Sequence, residues 1–221
     1  MKSYKVILTG ESPLLMHKDN ILWSELVKKW QKDPQNKALS VAGDDRSPAW
    51  TWIGSLYNDD RNLCIDSDNL MTMLREGGAK VPTGRKQQTY KAATQSGLLV
   101  NNVDSIFLVE GKQVPFGPIN ALTEELDFDK HLEFVQSLGF ELLVKRAKVG
   151  MSKHIRVRPM FRNWKVETRI SVIDEQKSGI TKDVLKRILD EGGALCGLGD
   201  WRPSGRTPGQ FGRFSVELEE E

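Results

Sequence analysis

The patterned segments of the chain follow the order strand, helix, strands, strand, helix, strand. That order predicts an α+β fold with a ferredoxin-like or RRM-like (β-α-β-β-α-β) core carrying insertions. Three observations carry this reading. Lys165 to Ile173 sets Val166, Thr168, Ile170 and Val172 on one side and Lys165, Glu167, Arg169 and Ser171 on the other, the period of a half-buried strand. Thr181 stands as an N-cap before a segment to Asp190 whose Val184, Leu185, Ile188 and Leu189 share one helical face. Asp66 or Ser67 likewise caps a helix over Asn69 to Glu76, with Leu70, Met73 and Leu74 as its apolar face and Gly77-Gly78 as its stop.

The remaining elements follow in order. Tyr4 to Leu8 alternates and reads as the first strand, ended by Gly10, Ser12 and Pro13. Ile21 to Trp30 places Leu22, Leu26, Val27 and Trp30 at helical spacing. Residues 31–48 read as loop, and as the best candidate for disorder or an insertion. Pro48 to Tyr57, with Trp50, Trp52, Ile53, Leu56 and Tyr57, reads as a short strand or β-ribbon. The stretch 80–97 is polar and basic, with helix potential from Lys86 to Ser96. Ile106 to Val109 and Phe140 to Val144 read as strands, Phe211 to Leu218 as the last strand, and Glu219 to Glu221 as a solvated acidic end. The expected organisation is one domain over 1–221, with insertions near 18–63 and 80–138.

Composition sets limits on function. With 221 residues, 38% hydrophobic and 28% charged, the chain has enough apolar content to build a core and too much for a disordered tail. No window approaches the ~18–20 apolar residues of a membrane helix. The start, MKSYKVILTGESP, does not read as a signal peptide, so the expected location is cytoplasmic. Cys64 and Cys196 lie far apart, which excludes a disulfide scaffold and a zinc finger. His17, His131 and His154 share no metal-ligand spacing, and no metal or other cofactor is expected.

Net charge is only +2, but residues 145–169 hold nine Lys or Arg against the single acid Glu167. Such polarisation is the electrostatic footprint of a polyanion partner. The plainer reading is a strand pair whose basic positions are neutralised by acids elsewhere. Phe161 and Trp164 inside the run favour nucleic acid, because single-strand binders combine a basic groove with stacking side chains. The candidate contacts here are Lys145, Arg146, Lys148, Lys153, His154, Arg156, Arg158, Arg162, Trp164 and Lys165. A second cluster lies in CGLGDWRPSGRTPGQFGRFSVEL, residues 196–218. Glycines there would let backbone N–H groups approach phosphates, arginines would add bidentate contacts, and aromatics would stack. Its candidates are Gly197, Gly199, Trp201, Arg202, Arg206, Gly209, Gly212 and Arg213. The plainer reading is a long loop between a helix and a strand.

A helix, a Gly- and Arg-rich loop ending GRF and a final strand resemble the C-terminal signature of the RAMP superfamily, the ferredoxin-fold RNA-binding subunits of CRISPR effector complexes. The segments YKVILTGESPLLMH and CIDSDNLMTMLREGGA resemble the family's first strand and first helix, so the likeness covers roughly residues 1–17, 64–79 and 145–218. The layout resembles still more closely uncharacterised phage and prophage proteins with LLMH near the start and GLGDWRP and GRF near the end. DWRPSGRTPGQ is longer than the usual RAMP turn. The resemblance implies RNA binding through the glycine-rich loop at Gly197, Gly199, Arg202, Gly209, Gly212 and Arg213, and self-association along the strand. The expected function is single-stranded nucleic-acid binding, RNA rather than DNA, without catalysis. Two alternatives stand beside it. One is a metal-independent endoribonuclease using His17 or His154. The other is a phage or prophage interaction protein with an acidic protein partner.

Overall fold

The alternation of residues 165–173 does form a strand at the centre of a sheet. A computed structural model describes residues 1–221 except the side chain of Val149. The strands are β1 (Lys2–Gly10), β2 (Leu14–Leu15), β3 (Cys64–Asp66), β4 (Leu98–Val100), β5 (Asp104–Val109), β6 (Lys112–Gln113), β7 (Glu141–Val149), β8 (Ser152–Phe161), β9 (Trp164–Val172) and β10 (Phe214–Glu220). The helices are α1 (Ile21–Lys32), α2 (Ser67–Gly78), α3 (Lys91–Gly97), α4 (Phe116–Asn120), α5 (Phe128–Ser137), α6 (Glu175–Ser178) and α7 (Lys182–Glu191). The class is mixed α and β with antiparallel sheets. The chain forms two compact units: Met1–Leu14 with Cys64–Gln113 and Arg162–Glu221, and Leu15–Leu63 with Val114–Phe161.

In the first unit the sheet runs β10-β1-β9-β5-β3, with β4 also on β9 and β6 on β5. The extra strands β3, β4 and β6 make this order depart from a simple β-α-β-β-α-β sheet. Tyr4, Val6 and Leu8 of β1 stand level with Ile170, Thr168 and Val166 of β9, and all six are buried. The Thr168 hydroxyl is satisfied, since Ser105 Oγ–H donates to its Oγ1 at 2.8 Å. Leu70, Met73 and Leu74 of α2 and Leu185, Ile188 and Leu189 of α7 complete this core as their spacing predicts.

Two helix-end expectations need correcting. Asp66 occupies the N-cap position of α2, but its side chain makes no capping bond. Gly77-Gly78 do not stop the helix, which runs through both. A Cβ on Gly77 would lie 2.4 Å from the Ile188 carbonyl oxygen, so the glycine serves close packing against α7.

The second unit holds the antiparallel β7–β8 hairpin. Its core is aromatic: Phe140 stacks on Phe161 at 4.8 Å, and Trp52 meets Phe140 at 6.2 Å and His131 at 6.0 Å. Residues 48–57 are not a strand. Ala49–Ser55 forms a 3₁₀ helix in which Trp52 and Ile53 are fully buried. A short, continuously apolar run lacks the periodicity that separates helix from strand. Helix α1 appears where its spacing predicts, with Asn20 accepting from the Trp23 amide at 3.0 Å, although Leu22 and Leu26 are exposed.

His131 is fully buried. Trp52 Nε1–H donates to its Nδ1 at 3.2 Å, so its Nε2 carries the proton and donates to the Glu125 carbonyl at 3.0 Å. Burial pushes its pKa below the ordinary 6.5. The unfolded chain therefore takes up this proton first. The contribution of His131 to stability is complete above about pH 6.5 and declines as pH falls toward the folded value. His131→Asn keeps an acceptor for Trp52 but does not titrate. The gap in melting temperature between wild type and this variant should be constant above about pH 7 and narrow as pH falls from about 6.5 to 5. A gap independent of pH would contradict a neutral, buried imidazole.

Candidate nucleic-acid interface

The basic run is mostly one hairpin. β7 and β8 pair through the two-residue turn Gly150-Met151, where Gly150 takes φ +60°. The register sets Lys148 opposite Lys153, Ala147 opposite His154, Lys145 opposite Arg156 and Leu143 opposite Arg158. Strand alternation puts Arg146, Lys148 and Lys153 on one face. Lys145, Arg146, Lys148 and Lys153, all in the outer half, are exposed.

The inner half is different, because a loop lies along it. Ile155 N–H donates to the Gly43 carbonyl at 2.8 Å, and Asp45 N–H donates to the Ile155 carbonyl at 3.0 Å. This docking carries the Asp45 carboxylate to Arg156 Nη1 at 2.8 Å, Arg158 Nη1 at 3.3 Å and the Val157 amide at 3.1 Å. Arg158 is only 8% exposed and also donates to the Val157 carbonyl at 3.0 Å. Neutralisation by a distant acid thus holds for Arg156 and Arg158, and Arg158 belongs to the structure of the hairpin rather than to its surface. Asp44 beside it is held below the usual carboxylate range by the Arg46 guanidinium, which it binds at 2.7 Å.

The other candidates belong to the first unit. Trp164 is buried, its Nε1–H donating to the Ser12 carbonyl at 2.8 Å, with Phe107 and Phe214 rings at 6.4 and 6.2 Å. It is a core residue, which corrects its assignment as a stacking platform. Phe161, in the second unit, is equally buried. Arg162 and Lys165 are exposed.

The glycine-rich loop is accounted for by its own packing. Gly212 has φ +73°, and a Cβ there would lie 1.9 Å from the Leu198 carbonyl oxygen. At Gly209 the same atom would lie 1.8 Å from the Trp201 carbonyl oxygen. Gly197 and Gly199 also have positive φ. Arg202 pairs with Glu76 at 3.0 Å, Ser204 Oγ–H reaches the other oxygen of Glu76 at 2.5 Å, and Arg213 donates to the Ala194 carbonyl. Arg206 is exposed, and with half-buried Trp201 it lines a small cleft of about 290 Å³.

What the sequence did not reveal is a larger cleft of about 460 Å³ in the second unit. It brings His17 and His154 into one lining with Lys18, Trp23, Lys28, Asp45 and Arg156. These residues come from α1 and its approach, the loop on β8, and β8 itself. No spacing in the sequence joins a loop at 43–47 to a strand more than a hundred residues later. Cys64, Asp66 and Asp104 form the one group among the described residues that could hold a metal ion, with ligand atoms within 4.8 Å of one another. Their proximity already has a cause: the Cys64 thiol lies 3.5 Å from Asp104 Oδ1 and 3.8 Å from Asp66 Oδ1.

The chain matches no protein-family model and no curated protein sequence. Among the described residues no helix is long and apolar enough to cross a membrane.

The loop geometry yields a direct test. Gly209→Ala and Gly212→Ala should each destabilise the fold by more than about 1 kcal/mol, because the clashing atoms are backbone carbonyls that cannot rotate away. Affinity for single-stranded RNA, corrected for the folded fraction, should stay unchanged. Intact melting temperature with lost affinity would instead make these glycines phosphate contacts.

Proposed function

We propose that this protein binds single-stranded nucleic acid, RNA rather than DNA, without cleaving it. The outer half of the β7–β8 hairpin is the contact surface. The observation that carries this reading is the Lys148–Lys153 opposition, with Arg146 on the same face. Like charges directly opposite across a strand pair are destabilising. Among the described residues no carboxylate pairs with Arg146, Lys148 or Lys153, whereas Asp45 neutralises the inner half. An unrelieved repulsion of this kind is removed when phosphates bind.

A ferredoxin-like core is supported by the arrangement of six elements. In chain order they are β1, α2, β5, β9, α7 and β10, and the four strands lie side by side as β10-β1-β9-β5 with every neighbour antiparallel. That core and the GRF-ended loop are the grounds for retaining the RAMP resemblance, and with it the preference for RNA and the self-association of copies along a strand. A cytoplasmic location belongs to the same reading.

One observation favours a second reading. His17 and His154 line the same cleft, which suits a metal-independent ribonuclease with one imidazole as base and the other as acid. RNA cleavage in EDTA, abolished by His154→Ala, would establish it. Stable complexes with uncut RNA would exclude it.

The binding proposal is tested by affinity for single-stranded RNA against salt. Three exposed cations on one face of the hairpin, Arg146, Lys148 and Lys153, predict a slope of log K on log salt of about −2, at ~0.7 per phosphate contact. A slope near zero would reject a polyanion partner.

A further inference from the structure

We infer that the cleft containing His154 is a pocket for a single nucleotide, binding both a phosphate and an aromatic base. This goes beyond the strand-binding proposal, which concerns the outer hairpin. The cleft lies within the second unit, among α1, the Gly43–Asp45 loop and β8.

Size is the first argument. About 460 Å³ falls among pockets that hold organic ligands of ordinary size and is far more than a five-atom phosphate fills.

Charge is the second. Two of the carboxylates in the wall are already engaged: Asp44 with Arg46, and Asp45 with Arg156, Arg158 and the Val157 amide. Arg156 donates Nη1–H to Asp45, which leaves the rest of its five-donor fork for a further anion. Lys28 is exposed at the rim, with no ion pair among the described residues.

Shape is the third. Trp23 is half-buried and doubly fixed, its Nε1–H donating to the Thr51 carbonyl at 3.2 Å and its ring edge-on to Trp50 at 5.6 Å. A Cβ on Gly54 would lie 2.1 Å from this indole, so the bare glycine is what seats it. Gly43 does the same for His154: at φ +76° its Cβ would lie 2.8 Å from Nδ1. The wall therefore offers two rings held against backbone, beside a guanidinium and an ammonium. Anchored planar surfaces next to cations recognise a ligand with one planar face and one anionic end. A nucleoside monophosphate has both, either free or as the phosphorylated end of a strand.

The test is calorimetric titration of the full chain with 5′-AMP, adenosine and inorganic phosphate. AMP should bind at least about tenfold more tightly than either fragment, since both halves of the ligand are used. Lys28→Glu lies on an exposed helix surface and should keep its melting temperature while weakening AMP by about tenfold or more. Arg156→Gln should weaken it similarly, with its melting temperature recorded because it also loosens Asp45. A 5′-phosphorylated oligonucleotide that displaces AMP better than its 5′-hydroxyl twin identifies the ligand as a strand end. Equal displacement identifies it as a free nucleotide. Absence of AMP binding, affinity for phosphate equal to that for AMP, or full AMP affinity in Lys28→Glu would each overturn the inference. Loss of AMP binding with intact salt-dependent RNA binding would sink this pocket and leave the hairpin proposal standing.

Discussion

The Asp45 carboxylate decides what the basic hairpin is. It accepts from Arg156, Arg158 and the Val157 amide, so one acid from a distant loop neutralises two strand cations and satisfies a backbone donor. Both Asp45 and Arg158 are largely withdrawn from water. At an exposed site such a pair contributes ~1 kcal/mol or less, but removing one partner of a buried pair costs about 3–5 kcal/mol, because the remaining charge loses its compensation. The loop is thereby committed to β8. That commitment closes one wall of the cleft around His154 and divides the hairpin into a neutralised base and an unneutralised tip.

The first unit is organised by a different constraint, close approach of backbone to backbone. Gly77 admits the Ile188 carbonyl, and Gly209 and Gly212 admit the Trp201 and Leu198 carbonyls. Arg202 closes the same region through Glu76. The glycine-rich loop is thus a folded structure held by its own contacts. A phosphate would have to meet its exposed edge near Arg206 and Trp201. Trp164, sealed between Phe107 and Phe214, belongs to the same packing.

Alternation was legible because it is local: Tyr4 to Leu8 and Lys165 to Ile173 name their buried faces directly, and Thr181 caps α7 as its hydroxyl predicts. The aromatic run around Trp52 was not legible. Burial on all sides erases the periodicity that separates strand from helix. Helix α5 escaped notice for a related reason, since its buried residues include a histidine, His131, alongside Val135. The candidate site was legible as charge but not as geometry. Counting Lys and Arg identified the hairpin, yet neither the pairing of Arg158 with Asp45 nor the shared cleft of His17 and His154 has any signature at the level of spacing. The glycines in residues 197–212 show the same limit. A glycine required by a neighbouring carbonyl and one required by a phosphate look identical in a sequence.

The central claim is that the hairpin tip holds like charges together for a polyanion at the expense of stability. Lys148→Glu tests it most directly, because it converts the Lys148–Lys153 opposition into an opposite-charge pair. Melting temperature and single-stranded RNA affinity should be measured on the same preparation. The account predicts a melting temperature equal to or above wild type, consistent with a cross-strand term of about 0.2–1 kcal/mol. It also predicts an affinity lowered about tenfold, with a shallower salt slope. Unchanged affinity, or a fall in melting temperature large enough to explain the lost binding, would contradict it.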